Sequence, residues 1–178
     1  IGATQQEDMD AAFYAFNKII RKGSQDQNLL TQTQLQLASL YQMQGDIEEA
    51  DLRFDQALGL APEDPNILNQ YAYHLALRGD RMQEAKEMLA KARKIQPQRA
   101  SFLITEGLIA YQQGAFGKAV TTYESAIKQL KSPDPTLLEH YGDALYKNGN
   151  TGAARQQWEK AKQLGASTID IEKKLREL

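Results

Sequence analysis

The sequence predicts an all-α protein made of one helix pair repeated along the chain. Composition is the first reason. The 178 residues include 20 glutamines and a single valine, Val120, with alanine and leucine abundant. Glutamine, alanine and leucine favour helices, and the β-branched vocabulary of strands is thin. Proline placement is the second reason. The five prolines stand at 62, 65, 97, 133 and 135, so long helix-compatible stretches alternate with proline-containing joints. The third is an internal period. Gly45, Gly79, Gly114 and Gly149 follow one another at intervals of 34, 35 and 35 residues, a period typical of stacked helical repeats.

Each element follows from that register. Residues 7–22 read as the second helix of a partial repeat, because Ala12, Phe16 and Ile19 carry the spacing of the later second helices. Its first helix is missing and the chain starts Ile1-Gly2-Ala3 without Met. We therefore expect the sequence to begin inside a repeat of a longer or processed chain. Four repeats follow at 28–62, 63–97, 98–132 and 133–165. Seven residues before each period glycine lies a small residue: Ala38, Ala72, Gly107 and Gly142. The glycine ends the first helix, where φ > 0 is needed. Asp46, Asp80 or Asn150 then stands ready to cap the second helix. That helix carries Ala50, Ala85, Ala119 or Ala154, and four residues later Phe54, Leu89, Tyr123 or Trp158. Three residues further on lies Ala57, Ala92, Ala126 or Ala161. The turn Gly79-Asp80-Arg81-Met82 holds one extra residue. Residues 167–178 read as a final helix, capped by Ser167 or Thr168, with Ile169, Leu175 and Leu178 covering the last pair. No single pair can bury its own apolar face, so neighbours must stack into one array over 1–178.

This pattern of small residue, glycine turn, Ala-x3-large-x2-Ala and proline resembles the tetratricopeptide repeat family. Gln36-Leu37-Ala38-Ser39-Leu40-Tyr41-Gln42-Met43-Gln44-Gly45 and Tyr141-Gly142-Asp143-Ala144-Leu145-Tyr146-Lys147-Asn148-Gly149 match it closely. The resemblance covers about residues 28–165. It implies a right-handed superhelical solenoid of antiparallel helix pairs, with first helices lining a concave groove. The implied groove positions are Gln32, Leu35, Ser39 and Gln42; then Asn66, Asn69 and Tyr73, with Gln70 beside them. They continue with Ile104, Leu108, Tyr111 and Gln112, and end with Glu139, Asp143 and Tyr146. Amide side chains there can bond a peptide backbone, and tyrosine adds flat area with a polar tip. Tyr41 takes the family's packing position. The chaperone-type clamp for a terminal carboxylate is disfavoured, because its basic positions are amides, apolar residues or acids here, and Glu139 and Asp143 would repel a carboxylate.

Other chemistry finds little support. The 21 basic and 23 acidic residues give a net charge of −2, without the basic stripe of a nucleic-acid binder. Cysteine is absent, so disulfides, thiol catalysis and cysteine metal sites are excluded. No phosphate-binding loop or nucleophile elbow occurs. His140 and Asp143 can share a helix face, but no third ligand stands at a metal-binding spacing; His74 and His140 read as structural or surface residues. Glu48 and Glu49 read as solvated. Residues 46–64 carry seven acids and one base, and residues 78–99 seven bases and three acids; these read as ordinary wet faces. Glu106 breaks the pattern, since it stands where Leu37 stands in the first full repeat. It should either reach the groove edge or pair with a neighbouring base.

The expectation is a non-enzymatic scaffold without cofactor or metal, binding a protein or peptide segment in its groove. The alternative is a structural or oligomerisation module of a larger envelope protein, self-associating through Phe13, Phe16, Ile19 and Ile20. Asn66-x-Leu68-Asn69-x-x-Ala72-Tyr73, with His140-x-Gly142-Asp143 and Trp158, resembles repeat arrays of bacterial envelope proteins, including lipid-anchored ones. That implies bacterial origin and a periplasmic or envelope location, with a cytoplasmic scaffold as the alternative. No nucleic-acid or membrane contact by this segment is expected.

Overall fold

The computed structural model describes residues 3–166 and 168–177. Among these the chain forms ten α-helices: α1 Ala3–Arg21, α2 Gln27–Gln44, α3 Ile47–Leu60, α4 Pro65–Arg78, α5 Met82–Ile95, α6 Ala100–Gln112, α7 Phe116–Gln129, α8 Pro135–Lys147, α9 Thr151–Gln163 and α10 Thr168–Arg176. They group into two compact units, Ile1–Tyr71 and Ala72–Leu178.

In the first unit α2 and α3 form a hairpin. Asp26 caps α2 by accepting a bond from the Leu29 amide at 3.1 Å. At the other end Gly45 sits at φ 80°, and the Asp46 amide reaches back to the Tyr41 carbonyl at 2.9 Å. That bond closes a Schellman turn, which a β-carbon would strain. Asp46 then caps α3 through the Glu49 amide at 3.2 Å. The small and large residues of the repeat meet here: Ala38, Ala50, Phe54 and Ala57 are fully buried. Tyr71 stacks on Phe54 with ring centres 4.7 Å apart. Met9 of α1 is buried, and Phe13 packs on Tyr41 with ring centres 4.8 Å apart. Phe13, Phe16, Ile19 and Ile20 are half-buried, and Tyr14 beside them is 70 % exposed.

The second unit repeats the device. The amides of Asp80, Ala115 and Asn150 bond the carbonyls of Leu75, Ala110 and Leu145 at 2.9–3.0 Å. Asn150 caps α9 through the Ala153 amide at 3.2 Å. Asp80 does not cap α5, contrary to expectation. The extra residue puts Arg81 at the cap position with φ 45°, and Asp80 lies 3.9 Å from Arg78 instead. Tyr123, Ala126, Trp158 and Ala161 fill the core, with Leu137 and Leu138 between the pairs. Gly107 and Gly142 allow the closest approaches. A β-carbon at Gly107 would lie 2.6 Å from the Tyr123 ring, and one at Gly142 would lie 2.5 Å from the Trp158 indole.

Helix α10 closes the array with Ile171, which is fully buried, and with Leu175 against the same cluster. Ile171 was not singled out in the sequence. Ser167, Leu178 and the side chains of Thr168 and Ile169 lie outside the described residues. Glu106 pairs with bases: Arg93 hydrogen-bonds one carboxylate oxygen, and Lys118 lies 3.0 Å from the other. Burial alone would raise the Glu106 pKa, but the two cations hold it below the usual carboxylate value. Glu49 is half-buried and pairs with Arg53 at 3.0 Å, so only Glu48 is a plainly solvated member of that acidic pair.

Candidate peptide-binding site

Helical periodicity puts Gln32, Leu35, Ser39 and Gln42 on one stripe of α2. Gln32 is exposed and Gln42 half-buried. Ser39 is half-buried, and its hydroxyl donates to the Leu35 carbonyl at 3.1 Å. Leu35 itself is only 5 % exposed. It is corrected from binding residue to core residue, because an isobutyl side chain at the edge of the stripe gains more from packing than from solvent. On α4, Asn66 is exposed and Asn69 and Gln70 are half-buried. The Asn66 amide is held by Asp64 at 2.7 Å, which fixes the start of that helix.

In the second unit the late residues of α4 meet α6, α7 and α8. Leu77, Leu108, Tyr111, Tyr123, His140 and Asp143 line a cavity of about 170 Å³. Gln112 lies at its rim and its amide donates to the Leu77 carbonyl at 3.4 Å. Four of these residues, Leu108, Tyr111, Gln112 and Asp143, were expected at a binding face. Leu108 is 3 % exposed, so it serves as the cavity wall rather than as open surface. Ile104 is half-buried against the core beside Ala110 and Leu137. Tyr111 packs on Phe116 with ring centres 5.4 Å apart.

Tyr73 stands apart from Tyr146. Its hydroxyl lies 3.2 Å from His140 Nε2, so it is committed to an internal partner. Tyr146 is 39 % exposed and leans on Trp158 with ring centres 5.7 Å apart. Glu139 and Asp143 are engaged as well. Lys174 of α10 donates to Glu139 Oε1 at 2.7 Å and to Asp143 Oδ2 at 2.9 Å. The Trp158 indole donates to Asp143 Oδ1 at 3.0 Å. Burial pushes the Asp143 carboxyl above its ordinary pKa, against the pull of Lys174. Burial would lower the Lys174 pKa, but the two carboxylates hold it above the ordinary lysine value.

Sequence reasoning missed Lys174, Tyr123 and His140 as parts of this site. Lys174 sits 31 and 35 residues from its partners, in a helix that reads only as a cap. His140 had a signal, since it shares a face with Asp143. Among the described residues no group of three or more His, Asp or Glu is arranged to hold a metal ion, and no helix is long and apolar enough to cross a membrane.

Family models for the tetratricopeptide repeat match residues 74–135 and 104–167, and a further one matches 31–64. The chain belongs to the tetratricopeptide repeat family. A TPR repeat-containing protein of Pseudomonas aeruginosa, PA4667, is 31 % identical over 144 residues, covering 79 % of this chain. The chain spans only 23 % of that relative's length. Among solved structures, a thermophilic TPR protein of Thermus thermophilus matches with a TM-score of 0.72 at 18 % identity, covering 98 % of this chain and 92 % of its own. PilW, a type IV pilus biogenesis factor, matches with a TM-score of 0.72 at 20 % identity, covering 97 % of this chain and 81 % of its own. Tetratricopeptide repeat proteins generally mediate protein–protein interactions and are generally non-catalytic scaffolds.

His140 gives this tetratricopeptide repeat array a pH dependence. Burial lowers its pKa below the ordinary value of 6.5, while Asp143 and Glu139 pull it upward and Lys174 downward. The native state therefore favours the neutral imidazole. Its contribution to stability is full above 6.5 and is lost as pH falls below that value. Thermal unfolding between about pH 8 and about pH 5 should show a smaller loss in His140→Gln than in the wild type. Identical slopes would remove His140 as the cause.

Proposed function

We propose that this chain is a non-enzymatic scaffold that binds an extended protein segment along its first helices. The observation that carries this reading is the cavity beside Tyr111 and His140, on a face built from the first helices α6 and α8 and the end of α4. A small pocket beside exposed amide and tyrosine side chains suits a peptide with a side-chain anchor. In the first unit Gln32, Ser39, Gln42, Asn66 and Asn69 are the polar contacts; in the second they are Tyr111 and Tyr146, with Ile104 and Leu108 as apolar walls. Tyr73 positions His140, and Glu139 and Asp143 act through Lys174.

Tyr146 is the sharpest handle, because it is exposed and its hydroxyl is not needed for the core. Tyr146→Glu should leave helicity unchanged and weaken capture of the partner from bacterial extract by about tenfold or more, as loss of a tyrosine hot spot does. Equal capture by the folded variant would take Tyr146 out of the site. A mass that rises with concentration in light scattering, without peptide binding, would instead support the oligomerisation module.

A further inference from the structure

The seam between α5 and α6 lacks bulk that the next seam has. Between α7 and α8 the Tyr141 hydroxyl donates to Glu124 at 2.8 Å, so a ring and a long acid fill the space. Glu124 stands one residue after Tyr123, and Tyr141 one residue before Gly142. The matching positions one repeat earlier are Ala90, after Leu89, and Glu106, before Gly107. The other second helices carry an acid where α5 carries Ala90: Asp55, Glu124 and Glu159. A methyl group and a slimmer side chain thus replace Glu124 and Tyr141 and leave a notch of about 230 Å³. Its floor is Leu89, Ile109 and Ala110, all nearly closed to solvent. Its rim holds Lys86, Arg93 and Lys118 around Glu106, three cations against one carboxylate.

We propose that this notch receives an acidic side chain, aspartate or glutamate, of a protein partner. The surface is separate from the peptide groove, because the α6 residues 106, 109, 110 and 113 lie on the side of the helix opposite residues 108, 111 and 112. The cations are within reach of a partner: Lys86 is exposed, and the Arg93 and Lys118 side chains keep 40 % and 61 % of their surface. They also have donors to spare. Arg93 commits one nitrogen, Nη1, to Glu106, and Lys86 makes no hydrogen bond or ion pair with any described residue. Charge complementarity then selects the occupant. A cationic side chain would meet three like charges. An apolar one would strip water from the cations with nothing in return. A hydroxyl or amide could bond them, but without the charge assistance that makes a carboxylate the stronger acceptor. A volume below the range of small-molecule sites suits a single side chain. A nucleic-acid backbone fits poorly, because Glu106 interrupts the basic stripe it would need.

Ala90→Glu tests the notch from within, because it places an acid four residues after Lys86 and three before Arg93. Its thermal midpoint should exceed that of Ala90→Gln, which adds the same bulk without charge, by about 1–2 °C. A displayed library of random peptides is then selected on the whole chain. Enriched peptides are titrated by fluorescence anisotropy against the wild type, Lys86→Gln, Ala90→Glu and Tyr146→Glu. We expect a set that shares Asp or Glu at one position. Lys86→Gln should weaken that set by about 3- to 10-fold, Ala90→Glu by about tenfold or more, and Tyr146→Glu not at all. Lys86→Gln removes no internal contact, so its thermal midpoint should match the wild type and its loss of binding is not misfolding. The notch is overturned if no acidic set emerges, if that set ignores both notch variants, or if Ala90→Glu is no more stable than Ala90→Gln. Peptides lost only in Tyr146→Glu would sink the notch and leave the groove standing. A mass that rises with concentration in the wild type but not in Lys86→Gln would put a second copy in the notch. Oligonucleotide binding lost in that variant would put a nucleic acid there. Either result overturns a separate protein partner.

Discussion

Gly142→Ala should lower the stability of this array by about 2–3 kcal/mol, although alanine is the better helix former. The reason is steric. A β-carbon at residue 142 would lie 2.5 Å from two atoms of the Trp158 indole. The indole cannot retreat cheaply, since it is 2 % exposed and hydrogen-bonded to Asp143 at 3.0 Å. Overpacking of this kind forces either an off-rotamer ring or a helix shift. Gly59→Ala is the control with the opposite sign. Gly59 lies inside α3 with negative φ and nothing within 4 Å of an added β-carbon. There the helix propensity of alanine acts alone and should add about 0.5–1 kcal/mol. Thermal or urea unfolding of both variants decides the matter. Trp158→Leu in the Gly142→Ala background should cost less than the two single changes summed, because the clash disappears with the ring. Equal effects at both glycines would mean that the α8–α9 contact is looser than its geometry states.

Both members of that contact stand at repeat positions in the sequence, but that they meet within one helix pair is a finding of the structure. A small residue and a large one stand 16 positions apart in three repeats: Ala38 and Phe54, Gly107 and Tyr123, Gly142 and Trp158. Where the partner is tyrosine or tryptophan the small residue is glycine; where it is phenylalanine an alanine fits. Such pairs are local to one hairpin, so the period aligns their positions, although it does not by itself state that they touch. Three other features were not legible. Asp80 follows its glycine as Asp46 does, yet the inserted residue moves the cap to Arg81 and leaves Asp80 beside Arg78 instead. Leu35 occupies a groove position by register, but its burial depends on how deeply α2 sits in its unit, which periodicity does not report. Lys174 lies in a helix outside the repeat register, so nothing in the period aligns it with Glu139 and Asp143. The fold was therefore readable because it repeats. The site was readable only in part, because its chemistry depends on contacts between elements that do not share the repeat.

Lys174→Met should cost about 2 kcal/mol at neutral pH, below the 3–5 kcal/mol seen for a fully buried pair. The discount follows from exposure: the Lys174, Glu139 and Asp143 side chains keep 28 %, 18 % and 22 % of their surface. Methionine preserves most of the apolar stem near Trp158, so the loss isolates the ammonium. What remains is two carboxylates one helical turn apart on α8, which repel each other. Burial already raises the Asp143 pKa, and removing the cation pushes it further in the same direction. Acidification should then shrink the penalty, because protonating Asp143 relieves both the repulsion and the burial cost. Adding Asp143→Asn to Lys174→Met should recover part of the stability while keeping an acceptor for the Trp158 indole. The wild type gives the complementary limit. Its Lys174 pKa lies above 10.5, so this contribution is full below that value and is lost only as pH rises through the higher native pKa. Unfolding curves of the three proteins at neutral and acidic pH separate these possibilities. No penalty in Lys174→Met at neutral pH would mean that α10 is held by Ile171 and Leu175 alone, with the ion pairs contributing nothing.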